Sequence, residues 1–159
     1  MRGLVVETSP RGCAEAITWY DQAIKADPDT NYYAAKAFCL GELGRFKEAV
    51  AVADTALQQQ PGSTHALSHK AYSLYHLGDK QSAERLSALV VQTEPTYALG
   101  HFDRARLLAA EGSMDQALAE LTSAAGRDFG RVRPLDIKAP EFAAVKNRPE
   151  FLRALTPPP

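Results

Sequence analysis

The stretch LGRFKEAVAVADTALQQQPG, Leu43 to Gly62, returns 34 residues later as LGDKQSAERLSALVVQTEPT, Leu77 to Thr96. Leu-Gly opens both, an Ala stands five residues after the Gly, and a Pro stands next to last. Nearly everything between these places has changed. The period reaches a third copy, with Gly44, Gly78 and Gly112 in one column and Ala37, Ala71 and Ala105 in another. Ala49, Ala83 and Ala117 keep the step, as do Ala56, Val90 and Ala124. Pro61 and Pro95 share it, with Phe129 where a third Pro would fall. Five columns in one register exceed what an Ala-rich composition yields by coincidence, and a fixed period of this length is the mark of a repeat architecture.

Each column has a physical task. Between Thr30 and Glu42 apolar residues recur at helical spacing (Tyr33, Ala37, Leu40), and Gly44 stands just past the end, where a left-handed residue is wanted. A second helix is predicted from Phe46 to Gln59, with Ala49, Val52, Ala53 and Ala56 on one face. Pro61 stops it, because proline cannot donate to the helical ladder. Small residues in the columns let the two helices approach closely. The pair, each about 20 Å long, makes one hairpin. A lone hairpin cannot cover its own apolar face, so successive hairpins stack.

Over residues 30–131 this pattern resembles the tetratricopeptide repeat (TPR), a helix–turn–helix unit. Ala37, Ala71 and Ala105 match the family's small residue of the first helix, and Leu40, Leu74 and Leu108 the large residue that follows. The glycine, second alanine and proline columns match as well. The aromatic expected near the start is present only as Tyr33, replaced by Leu67 and His101, and the last unit ends in Phe129-Gly130. The resemblance implies an all-α fold: a right-handed superhelical array of antiparallel helix hairpins, a TPR-like α-solenoid with a C-terminal capping segment.

The expected organisation is a half-repeat over 1–29, repeats over 30–63, 64–97 and 98–131, a cap over 132–156 and a disordered tail over 157–159. In the first segment Glu15-Ala16-Ile17, Ala23-Ile24 and Asp27-Pro28 fit a repeat's second helix, with Ser9 as its N-cap. No matching first helix is legible before it. The expectation is therefore that either the chain is a fragment of a longer one, or the otherwise exposed face of Ile17, Tyr20 and Ile24 is covered by residues 3–6 or by a partner, including a second copy in a homodimer. Downstream, Arg127 to Pro140 reads as a loop, and Phe142 and Phe151-Leu152 as short helices that cap the last hairpin.

At 159 residues the length is that of one domain. Basic residues number 18 and acidic ones 19, so no whole-chain field would hold nucleic acid or an anionic membrane. The basic residues after Arg127 are spread along the tail as a solvated surface. No apolar run approaches the ~18 residues of a membrane span. Cys13 and Cys39 lie in Ala-rich helical sequence, as small buried thiols of a reducing, cytoplasmic compartment rather than a disulfide framework.

Catalytic chemistry is not legible. There is no phosphate-binding glycine loop and no nucleophile elbow. His65 and His69 have the spacing of two zinc ligands, but that helix offers no third within reach, since His76 is about 10 Å further on. No metal, cofactor or enzymatic activity is expected. Function then falls to the concave surface that the resemblance implies, lined by the first helix of each hairpin. The projected positions are Asn31, Ala34, Phe38 and Gly41, then His65, Ser68, His69, Tyr72, Tyr75 and His76, then Leu99, Phe102, Asp103, Arg106 and Ala109. The Lys, Asn and Arg clamp with which some TPR proteins hold a chaperone's carboxylate is missing; Ala34, Ala35, Phe38, His65 and His69 stand there instead. The expected partner is a protein segment with apolar anchors and an acidic group for Arg106. The expected role is a non-enzymatic interaction scaffold, with a small secretion or assembly chaperone and a regulatory module of an enzyme or transcription regulator as alternatives.

Overall fold

The computed structural model describes the backbone of residues 10–138 and 140–156, and the side chains of residues 12–128 and 140–156. Among the described residues the regular structure is helical throughout: α1 (Pro10–Ala26), α2 (Thr30–Glu42), α3 (Phe46–Gln59), α4 (Thr64–His76), α5 (Lys80–Thr93), α6 (Ala98–Ala110), α7 (Met114–Lys138), a 3₁₀ turn at Pro140–Phe142, and α8 (Pro149–Ala154). The bounds of α2 and α3 coincide with those the periodicity predicts. The N-cap expected at Ser9, the cover at residues 3–6, the tail at 157–159 and the side chains of Phe129, Leu135 and Ile137 lie outside the described residues.

The three periodic glycines end α2, α4 and α6 in one way. Gly44, Gly78 and Gly112 take φ of +75°, +92° and +85°, and no other described residue has positive φ. The turn each one permits lets the next residue donate back to the column leucine: Arg45 N to Leu40 O, Asp79 N to Leu74 O and Ser113 N to Leu108 O, at 2.9, 3.0 and 2.9 Å. The glycine N–H groups bond to Gly41, Tyr75 and Ala109 carbonyls. These are paired Schellman bonds, which satisfy carbonyls left over at the helix end. A side chain starts three of the helices: Asp29 Oδ1 accepts from Asn31 N at 2.7 Å, Ser63 Oγ from Ala66 N at 3.4 Å, and Asp79 Oδ1 from Ser82 N at 3.1 Å.

The alanine columns are buried as their task requires: Ala37, Ala49, Ala56, Ala105, Ala117 and Ala124 are fully buried, and Ala71, Ala83 and Val90 nearly so. Length alone suggests one domain, yet the chain divides into two compact units, Met1–Ala83 and Glu84–Pro159. In a stacked array each hairpin meets only its neighbours, so no single core forms.

In the first unit, Cys13, Ile17 and Tyr20 of α1 pack with Cys39, Leu40 and Ala49. This corrects one expectation. Ile17 and Tyr20 are not an open face but lie buried against α2, and the exposed large residue of α1 is Trp19, beside the rings of Tyr20 and Tyr32.

In the second unit, Phe102, Ala105 and Leu108 of α6 join Ala117, Leu121 and Ala124 of α7 and Phe142, Val145, Phe151 and Ala154 of the C-terminal segment in one core. The loop expected from Arg127 to Pro140 is instead helical as far as Lys138, interrupted at Asp128, where φ −151° and ψ 76° break the ladder. Gly126 and Gly130 stand on either side of that kink, and helix resumes after it.

Candidate functional site

The helical register sorts the projected surface into columns that repeat every 34 residues. Ala34, Ser68 and Phe102 form one column, and all three are buried. Ala34 packs with Ala56 and Ala66, and Phe102 with the core of the second unit. These three are core residues, because their column lies one turn before Ala37, Ala71 and Ala105 on the stripe that meets the second helix of the hairpin. Gly41 and Ala109 are buried as well, while Tyr75, in their column, is half-buried.

Three columns keep an accessible side: Asn31, His65 and Leu99; Ala35, His69 and Asp103; Phe38, Tyr72 and Arg106. In the first unit they carry aromatic and imidazole rings that pack in two groups. Phe38 and His69 have ring centroids 5.2 Å apart. Tyr72 meets His76 edge to face at 4.5 Å, and His76 stacks on Phe46 at 4.6 Å with ring planes 5° apart. Phe46, at the start of α3, was missed by projecting first-helix positions alone. Tyr75 stands beside His76 at 5.5 Å, with Lys80 Nζ 5.8 Å from its ring centre. His65 and His76 are exposed, and His69, Tyr72 and Phe38 half-buried. Burial pushes the His69 imidazole down to about 3, and the neighbouring His65 adds to the fall. This ring therefore stays neutral in mild acid.

In the second unit the corresponding positions are occupied from within the chain. Arg106 Nη2 and Nε lie 3.1 and 3.3 Å from the two Glu141 carboxylate oxygens, and both side chains are mostly buried. Phe102 faces Phe142 with ring centroids 6.5 Å apart. The guanidinium expected to receive a partner's acidic group is held by the chain's own Glu141. Leu99 lines a hollow of about 230 Å³ with Tyr97, Thr96 and Arg127, away from that pair.

A basic column also went unread in the sequence. Lys36 and Lys70 pair with Asp21 and Asp54 of the preceding helix, at 2.5 and 2.6 Å. Arg104, the third member, donates to Ser87 Oγ at 3.1 Å and to Glu120, whose carboxylate also lies 2.6 Å from His101 Nδ1. The period of 34 was the available signal. Among the described residues no group of three or more His, Cys, Asp or Glu side chains is placed to hold a metal ion. No described helix is long and apolar enough to cross a membrane.

No family model matches the chain, and no curated protein matches it. Solved structures do. TTC0263, a thermophilic TPR protein of Thermus thermophilus, superposes with a TM-score of 0.67 at 20% identity, over 91% of this chain and 89% of that one. The chain has the tetratricopeptide-repeat fold. MamA matches it with a TM-score of 0.61 at 16% identity, over 91% of this chain and 85% of MamA. YrrB, described as a TPR protein with an unusual peptide-binding site, matches with a TM-score of 0.54 at 20% identity, over 91% of this chain and 75% of YrrB. At such identities the likeness carries the fold, and the chemistry of the site rests on this chain's own residues.

Proposed function

We propose that the protein is a non-enzymatic interaction scaffold that holds a segment of a partner protein across the α2–α4 face of its first unit. The observation that carries this reading is the set of rings Phe38, His69, Tyr72, His76 and Phe46, flanked by Asn31 and His65. Rigid rings with apolar faces and polar edges supply contact area at low entropic cost. Since Arg106 is engaged by Glu141, the favoured partner segment is anchored by apolar side chains and needs no carboxylate. The peptide-binding description of YrrB supports the class of ligand.

The test is selection of random displayed peptides on the immobilised full chain, followed by affinity measurements. Selected peptides should carry aromatic or aliphatic anchors. Tyr72→Ala and the exposed-site changes His65→Ala and His76→Ala should weaken them by roughly 10- to 100-fold while helicity is retained. Selected peptides that bind all three variants as tightly as wild type would remove the site from this face.

A further inference from the structure

The buried cysteines occupy a place that neither the repeat pattern nor the proposed binding face uses. Cys13 lies on α1 and Cys39 on α2, in one core cluster with Ile17, Tyr20, Leu40 and Ala49. Both are free thiols with no solvent exposure. They are also in contact, joined by a thiol–thiol hydrogen bond. We propose that Cys13 and Cys39 are a redox-responsive dithiol, which a low-molecular-weight disulfide oxidises to a disulfide that pins α1 to α2.

Two interacting thiols in one buried cluster across two packed helices have the placement an intramolecular bridge requires. The hydrogen bond distinguishes the two. Cys39 donates its S–H, which favours the Cys13 thiolate and disfavours its own. Burial and the Glu42 carboxylate push both thiols up, so the closed pair is unreactive. Reaction passes through separation of α1 from α2, a local opening that needs less free energy than global unfolding.

The exchange then runs in two steps. The Cys13 thiolate attacks one sulfur of the small disulfide, whose S–S bond breaks, and the departing thiolate takes up a proton. Cys39 gives its proton to solvent and attacks the Cys13 sulfur of the mixed disulfide, expelling the second small thiolate, which is protonated in turn. Two protein thiols are oxidised, and one small disulfide is reduced to two thiols. The bridge closes a loop of roughly 25 residues, so it restricts the opened state and holds α1 in place.

The test uses the full chain and oxidised glutathione, over a range of urea concentrations below the unfolding transition. Wild type should become two hydrogens lighter without retaining glutathione, and a non-reducing peptide map should join the Cys13 and Cys39 peptides. Its rate of oxidation should rise with urea in step with amide exchange of α1. After oxidation, amide exchange in α1 should slow by at least ~10-fold and the melting temperature rise by about 5–10 °C. Cys39→Ala should retain one glutathione on Cys13. If that variant does not fold, the wild-type map alone decides. Glutathione retained on both wild-type cysteines, bridges between chains, or two thiols that stay reduced while the α1 amides exchange would each overturn the proposal.

Discussion

Lowering the pH from about 7.5 to about 5.5 should remove stability from the wild-type chain that a His69→Gln variant keeps. In the folded chain burial holds the His69 imidazole down at about 3, whereas in the unfolded chain it titrates near 6.5. The folded ring is thus neutral at both pH values, and only the unfolded state takes up a proton. A base depressed in this way contributes its full stability above about 6.5 and loses it progressively as the pH falls toward about 3. With RT near 0.59 kcal/mol, the loss at pH 5.5 is about 1.4 kcal/mol, against less than about 0.1 kcal/mol at pH 7.5. Any folded value below about 4.5 gives nearly the same result at pH 5.5, because the folded state has not begun to protonate there. Urea unfolding followed by helical circular dichroism, for both proteins at both pH values, makes the measurement. The other histidines are common to the two chains, so the difference between their pH responses belongs to position 69. Equal losses in both would show that the ring protonates as readily folded as unfolded, and the account of a desolvated imidazole on this face would be wrong.

Gly100→Ala should destabilise the second unit by about 1–3 kcal/mol in urea unfolding, although alanine is the better helix former by up to about 1 kcal/mol. The added Cβ would stand 2.7 Å from Val90 Cγ1 and 2.9 Å from Tyr97 Cδ1, so a Val90→Ala background should relieve much of the loss; simple additivity of the two changes would refute the clash. Gly78→Val should lower the unfolding midpoint by a similar 1–3 kcal/mol through backbone strain alone, since φ is +92° and nothing lies within 4 Å of the new Cβ. An unchanged midpoint would contradict the left-handed turn. Ser73→Ala should leave stability unchanged or raise it by about 1 kcal/mol, because the fully buried Ser73 hydroxyl has no hydrogen-bond partner. A clear loss in the same assay would mean the hydroxyl is bonded after all.

The hairpin architecture was legible in the sequence because it is written in local chemistry that recurs. A glycine is needed where φ is positive, and Gly44, Gly78 and Gly112 mark those three turns. Small residues are needed where helices cross closely, and the alanine columns mark the crossings. Both requirements act within one hairpin, so a period of 34 displays them without reference to the rest of the chain. The candidate face was legible only in part. Period alone cannot say which of two adjacent stripes meets the neighbouring helix, so Ala34, Ser68 and Phe102 were counted with the surface although they lie in the core.

What tertiary structure decided involves partners distant in sequence. Glu141 reaches back to Arg106, and Phe142 to Phe102, across 35 or more positions of a segment that departs from the repeat. Phe46 joins the aromatic rings from a different helix. Cys13 and Cys39, unremarkable apart, share a hydrogen bond because α1 packs on α2. Desolvation of His69 likewise comes from surroundings assembled only on folding. A repeating sequence determines the unit, since each unit satisfies its own turns and crossings. Contacts between units and with non-repeating segments follow from burial, and burial is a property of the assembled chain.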